Sequence, residues 1–168
     1  TSKSKFISVI EELSNDSNNQ AYFPYSTPFY YDVAALRSNN WVENDIWIKY
    51  YRMTKYIPIG KVFFRIFILY RKQKSMPKNL RPINVKSAFG GMGIYKLNNQ
   101  KLNNLKYGIL DEAQTADHIM FNNKIKNMAV LPTWNFNAPA EHIEYKLLSP
   151  LNKLKYIIKE LIFDFKIL

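Results

Sequence analysis

The chain's 168 residues are 47% hydrophobic, which suits one domain with a sizeable core and excludes wholesale disorder. Because the chain has no cysteine, it forms neither disulfides nor thiolate metal sites. The sequence contains no segment with the pattern of a signal peptide. It also contains no apolar run of about 18 residues that would predict a transmembrane helix. The 24 lysines and arginines against 13 acidic residues give a net charge of +11, which favours anionic partners such as nucleotides, phosphorylated sugars, nucleic acid or anionic lipid.

The first 37 residues predict a helix, a polar loop and an aromatic segment. Phe6 to Leu13 carries apolar residues at helical spacing, and the polar stretch Ser14 to Gln20 ends that helix. Ala21 to Arg37 is rich in tyrosine and phenylalanine, which is typical of an aromatic core strand. This segment also contains Asp32 and Arg37, and charges beside a buried strand need partners.

Two helices are predicted in the next forty residues. The first runs from Trp41 to Lys55, with Asn40 as its N-cap. Its buried face is predicted to hold Trp41, Ile48 and Tyr51. The second runs from Lys61 to Lys74 and is apolar on nearly every side, with a basic fringe. It is either a core helix or an interfacial helix lying on anionic lipid.

Three of the chain's five glycines lie close together between two predicted strands. Ser75 to Pro82 reads as a linker, and the strands Ile83 to Ala88 and Gly93 to Lys96 follow it. The glycines are Gly90, Gly91 and Gly93. Glycine permits tight turns and close approach of another molecule to the backbone. The cluster is therefore either a turn without a ligand or part of a binding site.

An Asp-His pair opens the next predicted helix. Thr115 or Asp117 caps a helix that continues through Lys126, after an asparagine- and lysine-rich surface loop with a helical turn at Leu97 to Tyr107. A carboxylate and an imidazole at a helix start suit a metal, a phosphate or acid–base chemistry. The alternative is a capping Asp117 beside a passive surface His118.

The chain closes with a strand and an amphipathic helix. Met128 to Asn137 predicts a strand followed by an aromatic turn, and Leu147 to Leu168 predicts a helix. The apolar stripe of that helix is predicted to contain Leu154, Ile157, Ile158, Leu161, Phe165 and Leu168. The helix docks on the core, lies on a membrane surface or packs on a further domain.

Three of these segments, taken in order, resemble a known family. They are Tyr30 to Arg37, Val85 to Lys96 and Ala116 to Asn122, and a strand with a Pro-Thr-Trp-Asn turn follows at Val130 to Asn135. Together they resemble the C-terminal half of a GT-A type nucleotide-sugar glycosyltransferase of the bacterial and viral polysaccharide type, distantly similar to the fungal capsule mannosyltransferase-like family. The resemblance covers about Ala21 to Asn137. In such relatives the third segment more often carries Glu-His followed by an acidic residue, whereas this chain has Asp117-His118 with Met120.

The resemblance implies a fold and a missing half. The expected fold is α/β, the C-terminal part of a GT-A fold with a mixed sheet and flanking helices over residues 1–146, and an amphipathic helix over 147–168. In the family an N-terminal half ends in an Asp-x-Asp motif that holds Mn²⁺ or Mg²⁺ on the donor's diphosphate. This chain has no Asp-x-Asp and starts at Thr1. We therefore expect the chain to be a fragment that by itself neither binds the nucleotide-sugar donor nor catalyses transfer.

The resemblance also implies roles for particular residues. Asp117 is expected to be the base or the acceptor-binding carboxylate, and His118 to contact the metal or a diphosphate oxygen. Asp32 and Arg37 are expected to shape the donor-side wall or to pair with each other. The substrate-binding turn is expected to comprise Ser87, Phe89, Gly90 and Gly91.

The expected partners are a nucleotide-sugar donor and a glycan or lipid-linked acceptor. The location implied is cytoplasmic, with a possible peripheral contact at the inner face of a membrane. Two alternatives from other classes remain open: a basic nucleic-acid-binding module and a membrane-peripheral domain without catalysis. Because the lysines and arginines are scattered along the chain, nucleic acid is the less favoured partner.

Overall fold

A computed structural model describes residues 3–39, 41–57, 59–75, 81–98 and 117–165. These residues form an α/β fold in which a four-stranded mixed sheet is flanked by helices. The predicted α/β class and the mixed sheet are thereby confirmed. In the described part of the chain no helix combines the length and the apolar character needed to cross a bilayer.

The described part of the chain contains seven helices, one π-helical turn and four strands. The helices are α1 (Lys3–Asn15), α2 (Ile46–Tyr56), α3 (Gly60–Phe63), α4 (Tyr70–Lys72), α5 (Asp117–Asn122), α6 (Ala140–Leu147) and α7 (Pro150–Phe165). A π-helical turn, Phe64–Leu69, joins α3 to α4. The strands are β1 (Ala21–Thr27), β2 (Ile83–Val85), β3 (Ile94–Tyr95) and β4 (Met128–Asn137).

The sheet is built around a parallel pair of strands. Its order is β2-β4-β1-β3, with β1 parallel to β4 and both outer strands antiparallel to their neighbours. Parallel neighbours cannot be joined by a hairpin, so the long segment between β1 and β4 must cross over the sheet. Both β1 and β4 therefore end at the same edge of the sheet, after Thr27 and Asn137.

Both faces of the sheet are covered, as a parallel pair requires. On one face α1 packs its buried residues against Tyr22 and Trp134. On the other face Phe23 and Tyr25 pack into the main core with residues of the crossover. That core contains Tyr30, Leu36, Trp41, Ile46, Phe64, Val85 and Ala88. The alternation of β1 side chains between the two cores accounts for the almost complete burial of this strand.

Strand β4 continues through the predicted aromatic turn. Leu131 pairs with Pro24 and Asn135 with Tyr25, so three residues of β4 bulge out of the ladder. The bulge directs Trp134 into the α1 core, where its ring lies 6.2 Å from that of Phe6. The predicted helix at Phe6 to Leu13 and the predicted strand at Met128 are confirmed.

Helix α2 begins later than predicted. Its first residue is Ile46, and Asp45 is the N-cap, accepting a 2.7 Å hydrogen bond from Trp47 N–H. Trp41 lies before the helix in a tight turn and is buried, with its Nε1–H donating to the carbonyl of Lys72. The later start changes which residues face inward. Trp41 was correctly predicted to be buried, but the prediction that Ile48 and Tyr51 share that face was wrong, since both are exposed.

The helical stretch from Gly60 to Lys72 confirms the predicted second helix, with a π-helical turn in its middle. It buries Val62, Phe64 and Tyr70, whereas Phe63 and Phe67 are exposed. This helical stretch therefore packs against the core through Val62, Phe64 and Tyr70.

Several predicted boundaries are too long. β2 ends at Val85, β3 spans only Ile94–Tyr95, and α5 ends at Asn122 rather than at Lys126. The β2–β4 ladder ends where Val85 pairs with Met128, the first residue of β4, and beyond it Ser87 forms an isolated bridge with Arg37. The predicted N-caps Asn40 and Thr115, most of the 75–82 linker and of the 97–107 loop, and the end of the last helix at 166–168 lie outside the described residues.

The side chain of Asn122, the last residue of α5, forms hydrogen bonds to three other residues of the fold. Its side chain is fully buried. Its Nδ2 donates to Ser87 Oγ at 3.0 Å and to the carbonyl of Ala88 at 2.9 Å, and its Oδ1 accepts from the hydroxyl of Tyr95 at 3.1 Å. One amide thus links the end of α5 to the segments on both sides of the glycine cluster.

Replacing this amide removes three buried hydrogen bonds at once. We predict that Asn122→Ala lowers the free energy of unfolding by about 2 to 4 kcal/mol, because Ser87, Ala88 and Tyr95 lose partners inside the protein. Urea denaturation monitored by tryptophan fluorescence measures the change. The matched control is Asn123→Ala, an exposed neighbour, which should change stability by less than about 0.5 kcal/mol. Equal effects in the two variants would contradict this account of Asn122.

Candidate functional site

The glycine cluster folds around a carboxylate at the edge of the sheet where β1 and β4 end. Gly90 and Gly91 have φ angles of +65° and +91°, in the left-handed region that disfavours other residues. The N–H of Gly90 donates to Asp32 Oδ2 at 3.3 Å. A Cβ at Gly90 would lie 3.0 Å from the carbonyl oxygen of Pro24, so the backbone approaches β1 more closely than a side chain allows.

Gly91 faces the aromatic residues at the end of the strands. A Cβ there would lie 3.3 Å from the hydroxyl of Tyr31 and 3.4 Å from the ring of Phe136. Phe136 is near the end of β4, and its ring packs edge-on against that of Tyr31, with centroids 6.3 Å apart. In open α/β sheets, ligands bind outside the carboxyl ends of parallel strands, and this turn occupies that position.

Asp32 is a partly buried carboxylate whose charge is not neutralised by an ion pair in the described structure. Its Oδ1 accepts a hydrogen bond from Ala35 N–H at 3.3 Å, in addition to the Gly90 contact on Oδ2. Burial raises the pKa of Asp32 above its ordinary value. The two backbone N–H groups and the nearby imidazoles of His118 and His142 act in the opposite direction by favouring the charged form, but burial dominates.

The Asp117-His118 pair is next to the glycine turn. The imidazole of His118 lies against the ring of Phe89, with centroids 3.7 Å apart and planes inclined by 31°. Asp117 is the first residue of α5 and is exposed beside it. The structure therefore brings together Asp32, the Phe89 to Gly91 turn and the Asp117-His118 pair, which are far apart in the sequence.

His142 is part of the same region, although no site role was predicted for it. Its imidazole stacks on the ring of Tyr31, with centroids 5.0 Å apart and planes inclined by 16°. The buried side chain of Gln73 donates to the carbonyl of His142 at 2.8 Å and so fixes the first turn of α6. One signal was present in the sequence: Glu141-His142 is a second acid–histidine pair, and the chain has only two histidines.

A cavity of about 400 Å³ adjoins Tyr31 and Asp32. Its lining combines aromatic rings with acidic and basic side chains, as pockets for small polar ligands do. The aromatic and charged residues of the lining are Tyr31, Asp32, Trp47, Tyr50, Lys61, Phe64, Arg65, Tyr70, Glu141, His142 and Tyr156. Flat rings beside carboxylates suit a sugar, which presents C–H faces to the rings and hydroxyl groups to the charged atoms.

Two of the predicted site residues, Arg37 and Ser87, bind other protein groups and hold the neighbouring backbone in place. The guanidinium of Arg37 donates to the carbonyls of Ala34 and Leu36 and forms an ion pair with Asp45. The predicted alternative in which Asp32 and Arg37 pair with each other is therefore wrong, because Asp45 provides the carboxylate that Arg37 needs.

Ser87 is buried, and its hydroxyl accepts from the Asn122 amide. Its backbone carbonyl accepts the N–H of Arg37 at 2.8 Å. Ser87 thus holds the backbone just before the Phe89 to Gly91 turn in place.

Within the described ranges, no group of three or more His, Asp or Glu side chains is placed to hold a metal ion. His118, the predicted metal ligand, has the ring of Phe89 against its imidazole. The described residues do not fit a divalent cation by themselves, and we assign roles below to protein side chains alone.

Comparison with protein-family models, with curated proteins and with solved structures finds no match to this chain.

The raised pKa of Asp32 predicts a pH-dependent difference in stability between the protein and its Asp32→Asn variant. The folded state binds the Asp32 proton more tightly than the unfolded chain does. The quantity compared is the free energy of unfolding of the wild type minus that of the variant. This difference should fall as pH rises from below the ordinary pKa of an aspartate, near 3.8, to above the raised pKa of Asp32 in the folded state. Urea denaturation at a series of pH values between 3 and 7 measures this difference. A difference that grows with pH would contradict the assigned burial.

Proposed function

We propose that this chain forms the acceptor-side half of a glycosyltransferase that moves a sugar from a nucleotide-sugar donor to a glycan or lipid-linked acceptor. The observation that carries the proposal is the convergence of Asp32, the Phe89 to Gly91 turn and Asp117-His118 at the carboxyl ends of β1 and β4. These are the three segments on which the resemblance to GT-A glycosyltransferases rests. An unligated turn would not need a partly buried carboxylate and two histidines beside it.

Sugar transfer needs a base for the acceptor hydroxyl, and the surroundings of the glycine turn contain two candidate carboxylates. Asp117 is exposed, so it can accept the proton of an acceptor hydroxyl and pass it to solvent. Asp32 lies deeper, where burial raises its pKa. We assign the role of base or acceptor-binding carboxylate to Asp117, and to Asp32 the binding and orientation of sugar hydroxyls in the adjoining cavity.

The leaving diphosphate needs positive charge and hydrogen-bond donors. His118 is next to Asp117 and to the glycine turn, and we assign it a contact with a diphosphate oxygen. Lys61 and Arg65 line the adjoining cavity, and the net charge of +11 attracts anionic substrates. By the same resemblance, binding of the nucleotide and of Mn²⁺ or Mg²⁺ belongs to an N-terminal half with an Asp-x-Asp motif.

The first test measures transfer by the full-length protein. We predict that Asp117→Asn lowers the rate of transfer by about 100-fold or more, because general-base catalysis contributes roughly that much. The assay follows release of nucleoside diphosphate from a panel of nucleotide-sugars with glycan acceptors. The matched control is Glu144→Gln, an exposed carboxylate on α6 outside the cavity lining, which should retain wild-type turnover.

The two carboxylates are distinguished by the same assay. Asp32→Asn should raise the KM for the acceptor more than it lowers kcat, because its assigned role is in binding. Near-wild-type turnover in folded Asp117→Asn would refute the role of that residue. Absence of transfer by the full-length wild-type protein with every donor and acceptor would refute the proposed function.

A further inference from the structure

The last helix presents an apolar face to solvent. We define the outer face of α7 as Leu151, Leu154, Ile158 and Ile162, whose side chains are 63%, 54%, 48% and 53% exposed. At 100° per residue these positions fall within a sector of about 80°, so they form one continuous stripe along the helix. Four large apolar side chains in one exposed row are uncommon on a soluble surface and mark an interaction site.

The opposite side of α7 is already used for packing against the fold. Glu160 accepts from Arg65 at 2.7 Å, and the hydroxyl of Tyr156 lies 3.4 Å from that of Tyr70. The ring of Tyr156 also packs on Tyr145, with centroids 5.4 Å apart. The outer face cannot rotate inward without breaking these contacts.

The observed orientation corrects the predicted stripe. Ile157 and Leu161 are half-buried and flank the exposed residues Leu154 and Ile158, which continue outward with Leu151 and Ile162. Of the three predicted roles for this helix, docking on the core therefore accounts for only one side.

Charge indicates what covers the other side. Lys155 and Lys159 are exposed and follow the outer face along one edge, at 3.6 residues per turn. Glu160, the acidic residue of α7 whose side chain the structure describes, is on the inner side and paired with Arg65. An apolar stripe edged by lysines is the pattern of a helix that lies in the headgroup region of an anionic membrane.

A second copy of this chain fits the face less well. Antiparallel pairing of two outer faces would bring both rows of lysines to one edge, and in any pairing each chain carries a net charge of +11. Anionic lipid instead neutralises the lysines while its acyl chains receive the apolar stripe. We propose that the outer face of α7 binds an anionic lipid surface, with the helix parallel to the membrane plane.

This inference is independent of the proposed transferase activity, because the outer face of α7 contributes no residue to the lining of the cavity beside Asp32. It is tested by flotation of the protein with vesicles of phosphatidylcholine alone, and with vesicles that contain about 30% phosphatidylserine. We expect binding to the second kind of vesicle only, and weaker binding as salt concentration rises.

Two double variants and a control separate the contributions. One variant combines Leu154→Glu with Ile158→Glu, and the other combines Lys155→Glu with Lys159→Glu. Each should reduce partitioning of the protein onto the phosphatidylserine vesicles by about tenfold or more. Ile10→Glu, at a position 38% exposed on α1, is the matched control and should bind as the wild type does. Circular dichroism establishes that the variants are folded.

Three outcomes would overturn the inference. They are failure of the wild type to float with phosphatidylserine vesicles, equal binding by the wild type and the Leu154/Ile158 variant, and self-association in light scattering that the Leu154/Ile158 variant abolishes. The last result would assign the face to a second copy of the chain.

Discussion

The parallel pairing of β1 with β4 is the constraint on which the rest of the structure depends. Because both strands end at one edge of the sheet, the residues that follow β1 and those that end β4 must meet there. The crossover between them carries the glycine turn to the same edge, where Gly90 N–H contacts Asp32. The left-handed backbone at Gly90 and Gly91 allows this approach, and Asn122 holds it from behind.

The cleft that results contains groups that cost stability. Asp32 is a partly buried carboxylate without an ion-pair partner among the described residues, while Arg37, five residues later, takes Asp45 instead. Buried charges of this kind persist where they serve a ligand or a reaction, since an apolar residue would pack there at lower cost. The imidazole of His142 stacks on Tyr31, that of His118 lies against Phe89, and both lower the pKa of Asp32 against the larger effect of burial.

Much of the fold followed from local sequence patterns, whereas the site depended on contacts that such patterns do not contain. The 3.6-residue spacing in α1 and the apolar run of β4 predicted those elements correctly. The start of α2 was missed because Asp45 caps the helix in place of an earlier polar residue, and so Ile48 and Tyr51 turned outward. The partners of Arg37 and His142 are fixed by long-range packing, and spacing in the sequence does not reveal them. The exposed side of α7 was not predicted for a related reason. When a helix is apolar over a wide arc, its sequence does not indicate which part of the arc faces the core.

The central claim is that a sugar binds beside Asp32, in the cavity that Tyr31 and His142 also line. Since the chain has only two histidines, their Hε1 protons give two signals in a ¹H–¹³C correlation spectrum, and each signal reports on one of the imidazoles that act on Asp32. The most direct measurement is a titration of the folded protein with mono- and disaccharides and with nucleoside diphosphates. The account predicts saturable shifts of both His118 and His142 with at least one sugar, and weaker shifts in the Asp32→Asn variant. Two histidine signals that stay unmoved by every ligand in the panel would contradict it.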